Sequence, residues 1–187
     1  EELNVKIFNQ LQQTITGWPG GKPQADDTKR PERANPFPKK SIVFSPHPDD
    51  DVISMGGTLL RLVDQGHEVH VAYQTSGNIA VFDDEVIRFL DFAKDIQENN
   101  TALEKQFQEV KTFLSHKSPG EVDQPMIQKF KGLIRKGEAM AACRYCGVKE
   151  ENAHFQNLPF YETGTVKKNP YSAKDIALTY DLLNRVK

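Results

Sequence analysis

Cysteine is scarce, two in 187 residues, and both fall in one short stretch, CRYC at 143 to 146. A structural zinc would need a second ligand pair nearby, and none is present; the pair also lies inside a helical pattern rather than between a strand and a helix. Cys143 and Cys146 are therefore expected to pack on a helix face. An excess of one charge is also missing. Lys+Arg 24 against Asp+Glu 26 leaves a formal charge of -2, so neither nucleic acid nor an anionic membrane is expected as a partner. No apolar run approaches the roughly 18 residues of a membrane-crossing helix. The N-terminal EELNVKIFNQ lacks the basic-then-apolar layout of a signal peptide, and a cytoplasmic location is expected. NNT at 99 to 101 would be a glycosylation sequon only in a secreted protein.

What is present is an alternating pattern behind a distinct N-terminal segment. Leu3, Ile7, Leu11 and Ile15 recur at four-residue spacing and predict a short amphipathic helix. Residues 18 to 40 then hold five of the eleven prolines and a Gly-Gly, which predicts an extended linker. Residues 1–40 thus read as a helix and Pro-rich linker from a preceding domain, and the domain proper as 41–187. In it SIVFS (41 to 45) reads as a buried strand, DVISMGGTLLRLVDQ as a helix and HEVHVAYQTS as a second strand, a βαβ unit that implies a parallel sheet in an α/β fold. Residues 83 to 116 read as helical, with Phe89, Ala93 and Ile96, then Leu103, Phe107, Val110 and Leu114, on apolar stripes. A further helix is expected over about 126 to 146, a third strand over 153 to 160, and a last helix capped by Ser172 and Asp175. That helix meets no stop signal before Lys187, and Glu1 is not a start methionine, so both ends are expected to be cut.

The chemistry gathers in SPHPDDD, residues 45 to 51. In an open parallel sheet, ligands collect at the carboxyl ends of the strands, where this loop falls. Pro48 keeps His47 out of the helical region and stiffens the turn. One neutral imidazole and one carboxylate suit zinc, and a neighbouring carboxylate kept off the metal can serve as base. A plainer account is also open: aspartate before an apolar helix is a common N-cap, and further acids in the first turn favour the helix dipole. Yet one cap needs one acid, and Gly56-Gly57 inside the helix suggests a crowded site.

SPHPDDD resembles the (A/P)-H-P-D-D-E signature of the LmbE/PIG-L family of zinc-dependent N-deacetylases, sugar-amide hydrolases on a Rossmann-like fold with a parallel sheet and flanking helices. The resemblance implies that His47 and Asp50 ligate Zn2+ and that Asp49 is the general base. GHEVHVAYQTSGN is similar to the family's second strand and its Thr-x-Gly turn, here Thr75 to Gly77. RKGEAMAACRYCGV resembles its R-x-x-E helix, which implies that Arg135 contacts substrate with Glu138 as its helix neighbour, and NLPFYETG resembles the strand that follows. Asp51 stands where the family has Glu. The family's third zinc ligand comes from a later histidine motif, expected here beyond residue 187. The N-terminal part, with FSPHPDDDVISMGG, resembles the C-terminal portion of glucosamine-6-phosphate deaminase-like fusion proteins, which implies a sugar-phosphate deaminase domain as N-terminal partner and an N-acetylated amino sugar as substrate.

Three readings follow. The first is hydrolysis of an N-acetylglucosamine-type amide. A metal-dependent phosphoesterase is the second, since acid clusters at strand ends also bind Mg²⁺; His47 argues against it. The third is a non-catalytic module that binds an amino sugar or docks the deaminase domain. Of the other histidines, His67 and His70 are expected at the surface at the sheet end opposite His47, His116 at a helix C-terminus, and His154 at the start of the third strand, away from the site.

Overall fold

A computed structural model of the chain describes residues 2–12, 37–97, 101–162, 164 and 167–187. The N-terminal helix α1 runs Glu2–Gln12. Ile15, the linker through residue 36 and the side chain of Leu103 lie outside the described residues. From Lys40 the chain alternates as its sequence predicts. Strand β1 (Lys40–Ser45), helix α2 (Asp50–Asp64) and strand β2 (Glu68–Tyr73) form the βαβ unit. Helices α3 (Asp83–Ile96), α4 (Thr101–His116) and α5 (Pro125–Tyr145) follow, then strand β3 (Ala153–Phe155) and helix α6 (Ala173–Val186). The strands pair in parallel in the order β1-β2-β3, in register from Lys40 opposite Glu68 and from Val71 opposite Ala153.

Central β2 has both faces covered, which is why its sequence is apolar almost throughout. Val69, Val71 and Tyr73 face one side and pack with Leu59 of α2 and Ala139 and Cys143 of α5. Ala72 faces the other side, against Leu182 and Val186 of α6. Helices on both faces with a parallel sheet between them make the expected α/β, Rossmann-like arrangement. Both cysteines are free thiols in the first of these cores, as the helix-face reading predicts. The capping box on α6 is present, with the Asp175 carboxylate accepting the Ser172 N–H at 2.9 Å.

Three expectations need correction. Residues 83 to 116 form two helices, and α3 buries Val86 and Leu90, whereas Phe89 and Ile96 are exposed. The cause is geometric: α3 packs on α4 and α5 along the Val86, Leu90, Ala93 ridge, one position round from the ridge read from the aromatics. Strand β3 is shorter than 153 to 160, because Asn157 adopts a left-handed φ of 48° and Pro159 has no N–H. The ladder still reaches beyond it through Gln156 N–H to Tyr73 O and Leu158 N–H to Gln74 O.

The third correction concerns His67 and His70, which are buried. β2 is the central strand, so neighbours close over its start as well as its middle. His67 Nδ1 accepts the Lys39 N–H at 3.1 Å, which leaves its proton on Nε2. His70 Nε2 lies 2.9 Å from Glu68 Oε1 and its Nδ1 lies 3.0 Å from His154 Nε2. With His70 donating to Glu68, the His70–His154 bond needs exactly one proton between its two nitrogens, and a second proton breaks it. Burial first, then His70 and Arg185, hold His154 below its ordinary pKa. As pH falls through about 6.5, His154 therefore takes up its proton less readily in the folded chain than in the unfolded one, so this contribution is full above that pH and is lost on acidification. Melting temperature should fall from pH 8 to pH 5, and His154→Gln should flatten the fall. An identical slope in the variant would show that the pair contributes nothing.

Candidate active site

Ser45 ends β1, and the next four residues cross the carboxyl end of the sheet before α2 begins. The loop after β2 is tied to this crossing. Gln74 N–H donates to Ser45 O at 2.9 Å, while Thr75 gives both its N–H and its hydroxyl to Pro46 O, at 3.1 and 2.8 Å. These three hydrogen bonds join the two loops into one rim.

Each of the three aspartates has a different partner. Asp50 Oδ2 accepts the His47 N–H at 3.0 Å and lies 3.1 Å from His47 Nδ1. Both side chains remain about a third exposed, at 33% and 39%. Asp51 points the other way and is buried. Its Oδ2 accepts the Tyr73 hydroxyl at 2.9 Å, and its N–H donates to Ser45 Oγ at 3.0 Å. Ser45 Oγ also lies 2.6 Å from His47 O. Asp51 is therefore a fastening of the loop to the core, with Tyr73 spanning the rest of the distance to Cys143 Sγ at 3.3 Å. Burial, then Cys143 and Asp51, push the Tyr73 hydroxyl far above its usual range, so it stays protonated and donates. Burial likewise raises the Cys143 and Cys146 thiols, which places them in the core as neutral groups rather than reactive ones.

Asp49 decides between cap and functional group. It occupies the N-cap position of α2, yet its side chain makes no capping bond. Instead its Oδ2 lies 2.9 Å from the Arg135 guanidinium of α5. Its φ of 142° is positive, in a region that a non-glycine residue enters at a cost of order 1–3 kcal/mol. A capping aspartate gains its stability from an extended conformation and a bond to the helix amides; Asp49 has neither. The plain capping account fails for this residue.

Arg135 is 13% exposed in its side chain and reaches Asp49, Glu138 and the Pro48 carbonyl. Its Nε is buried without a partner among the described residues. Gly77, with φ +64°, lies against it: a Cβ there would meet Pro48 Cδ at 3.0 Å, Arg135 Nε at 3.3 Å and His47 Cβ at 3.6 Å. The Thr-x-Gly turn was the sequence signal for this contact. Ser45 and Tyr73 carried weaker signals, as a hydroxyl at a strand end and a phenol on the core-facing parity of β2. Glu162, in the segment after β3, accepts the Ser76 hydroxyl at 2.7 Å and steadies the turn from outside. His116 sits at the end of α4, with Nδ1 2.8 Å from Thr112 O, and His154 is engaged with His70.

Among the described residues no group of three or more His, Cys, Asp or Glu could hold a metal ion. His47 and Asp50 offer one nitrogen and one oxygen side by side, a donor pair of the kind zinc takes. No helix among the described residues is long and apolar enough to cross a membrane.

A parallel α/β domain with a histidine, two accessible carboxylates and a clamped arginine at the carboxyl ends of its strands is built as a small-molecule site. Over residues 42–181 the chain matches the PIG-L family, described as GlcNAc-PI de-N-acetylase, and it belongs to that family. It is 55% identical over 190 residues to a glucosamine-6-phosphate deaminase-like protein of Bacteroides thetaiotaomicron, covering 99% of this chain and 29% of that protein. It is also 42% identical over 48 residues to diacetylchitobiose deacetylase of Thermococcus kodakarensis, covering 26% of this chain and 18% of that one. The chain thus spans under a third of the length of these relatives in either alignment. No solved structure matches it significantly.

Proposed function

We propose that the chain is a zinc-dependent N-deacetylase domain that removes the acetyl group from an N-acetylglucosamine-type sugar. The observation that carries this reading is Asp49, turned away from its helix and held by Arg135 beside the His47–Asp50 pair. Family membership and the deacetylase relative support the reaction class. The relative's deaminase-like name supports an amino-sugar context, and the 29% of its length that is covered supports a longer protein; an N-terminal sugar-phosphate deaminase domain and a cytoplasmic location complete this reading.

In this reading His47 and Asp50 hold the metal, with a third donor supplied from beyond residue 187. Zinc bound there would polarise the amide carbonyl and lower the pKa of a water. Asp49 takes a proton from the attacking water as its oxygen bonds to the carbonyl carbon. It then returns that proton to the sugar nitrogen as the C–N bond breaks, leaving acetate and a free amine. Asp51, Ser45 and Tyr73 hold the loop still. Arg135 keeps the Asp49 carboxylate in place and offers its remaining donors to substrate. Arg135→Ala is accordingly expected to lower kcat/KM about tenfold or more, mainly through KM. Wild-type kinetics in that variant would remove Arg135 from the site.

The test of the reaction class is chelation followed by restoration. Activity on an N-acetylated amino sugar should return with zinc and not with magnesium. Restoration by magnesium of phosphate-ester cleavage would favour the phosphoesterase. The non-catalytic module is the remaining reading, and sugar binding without acetate release would establish it.

A further inference from the structure

A cleft of about 410 Å³ opens beside the catalytic loop, walled by Pro48, Ser76, Asn78, Lys129, Lys136 and Asn157. Pro48 stands between His47 and Asp49, and Ser76 and Asn78 flank Gly77, so the cleft adjoins the site through the residues next to its working groups. Its size suits a small polar ligand. No Asp or Glu lines it among the described residues. Glu162 touches its wall through Ser76, whose N–H and hydroxyl satisfy that carboxylate.

The wall carries two cations, Lys129 and Lys136. Lys129 and Lys136 lie seven residues apart on α5, hence on one face two turns apart. Between them Gly132 has no side chain, which lets the Ser76 turn approach: a Cβ on it would lie 3.4 Å from Ser76 Cβ. Lys136 Nζ sits 5.0 Å from the centre of the Phe155 ring, which aims it without neutralising it. Lys129 makes no ion pair among the described residues, and Pro125, the first residue of α5, also lines the cleft. The first turn of α5 holds no acid. Pro125 places the N-terminal end of α5, where an anion is favoured, at the same cleft.

We propose that this cleft binds the phosphate of the substrate, so that the sugar is a phosphorylated N-acetylhexosamine. The proposal rests on the deacetylase reading above and narrows its substrate class. In such a sugar the phosphate is carried either on C1, the ring carbon next to the C2 acetamide, or on C6, farther round the ring. A ring whose acetamide meets Asp49 therefore extends a phosphate toward a neighbouring wall. The product is a 2-amino sugar phosphate and acetate, and the reaction that follows must consume an amino sugar bearing phosphate.

The test uses the longer protein proposed above, with N-acetylglucosamine, its 6-phosphate and its 1-phosphate compared by acetate release, and with binding of each phosphate measured separately by calorimetry. One phosphate ester should exceed the unphosphorylated sugar in kcat/KM at least tenfold, which identifies the carbon that carries the phosphate. In Lys129→Ala/Lys136→Ala that preference should collapse toward one, and calorimetric affinity should fall tenfold or more. Both lysines are exposed, so the variant is expected to fold. Equal kcat/KM for all three sugars, or a preference that survives loss of both lysines, overturns the phosphate site and leaves deacetylation standing. Lysine-dependent binding of a phosphate ester with no acetate released from any sugar does the reverse.

Discussion

Asp49→Asn is expected to reduce acetate release about a thousandfold or more while zinc content stays at about one per chain, because the change removes a base and no ligand. The structure gives this expectation its particular form. Asp49 is not a capping residue, so the variant loses no helix cap, and the amide still accepts from Arg135. Its melting temperature should therefore stay close to that of the parent. Asn is also the same size and shape as Asp, so the backbone at this position has no new steric demand to meet. Loss of zinc in this variant would exchange the roles given to Asp49 and Asp50. A large drop in melting temperature would mean that the Arg135 pair is a structural fastening first.

Gly77→Ala should also be strongly damaging, although Gly77 does no chemistry. A methyl group at this position has a φ of +64° to tolerate and Pro48 Cδ 3.0 Å away. The Pro48 ring cannot swing aside, since its φ is fixed, and His47 and Asp49 are attached to it. The turn or the loop must shift by several tenths of an ångström, and a misplacement near 1 Å can cost about 10²-fold in rate. The expected result is a drop in kcat of about that order, with a stability loss of about 1–2 kcal/mol. Activity close to wild type would show that the two loops move independently.

Parts of this account were readable from the residues and parts were not, for physical reasons. The βαβ order and the location of the site follow from local pattern: alternating apolar residues, a helix of period 3.6, and a loop at the carboxyl end of β1. The roles of three neighbouring acids do not. Sequence gives Asp49, Asp50 and Asp51 the same chemistry, and only packing turns one inward to Tyr73, one toward His47 and one onto Arg135. His67 and His70 were misplaced for a related reason: burial at a strand's start depends on what lies beside it, here Lys39 and His154, far away in sequence. The helical layer shows the same limit. Phe89 and Ile96 look like core by hydrophobicity, yet the neighbours of α3 select Val86 and Leu90. Lys129 and Lys136 carry no sequence signal of a shared cleft, because its opposite wall comes from Phe155 of β3 and the Ser76 turn, both distant in sequence.

The central claim is that His47 belongs to a metal-assisted deacetylase site, and one paired measurement bears on it most directly. Zinc content and acetate release from an N-acetylated amino sugar are to be determined together on the longer protein, wild type beside His47→Ala. The account predicts about one zinc per chain and an acetate for every amine exposed in the wild type, with both lost in the variant. Wild-type protein that holds zinc and releases no acetate, or a variant that keeps full activity, would contradict it.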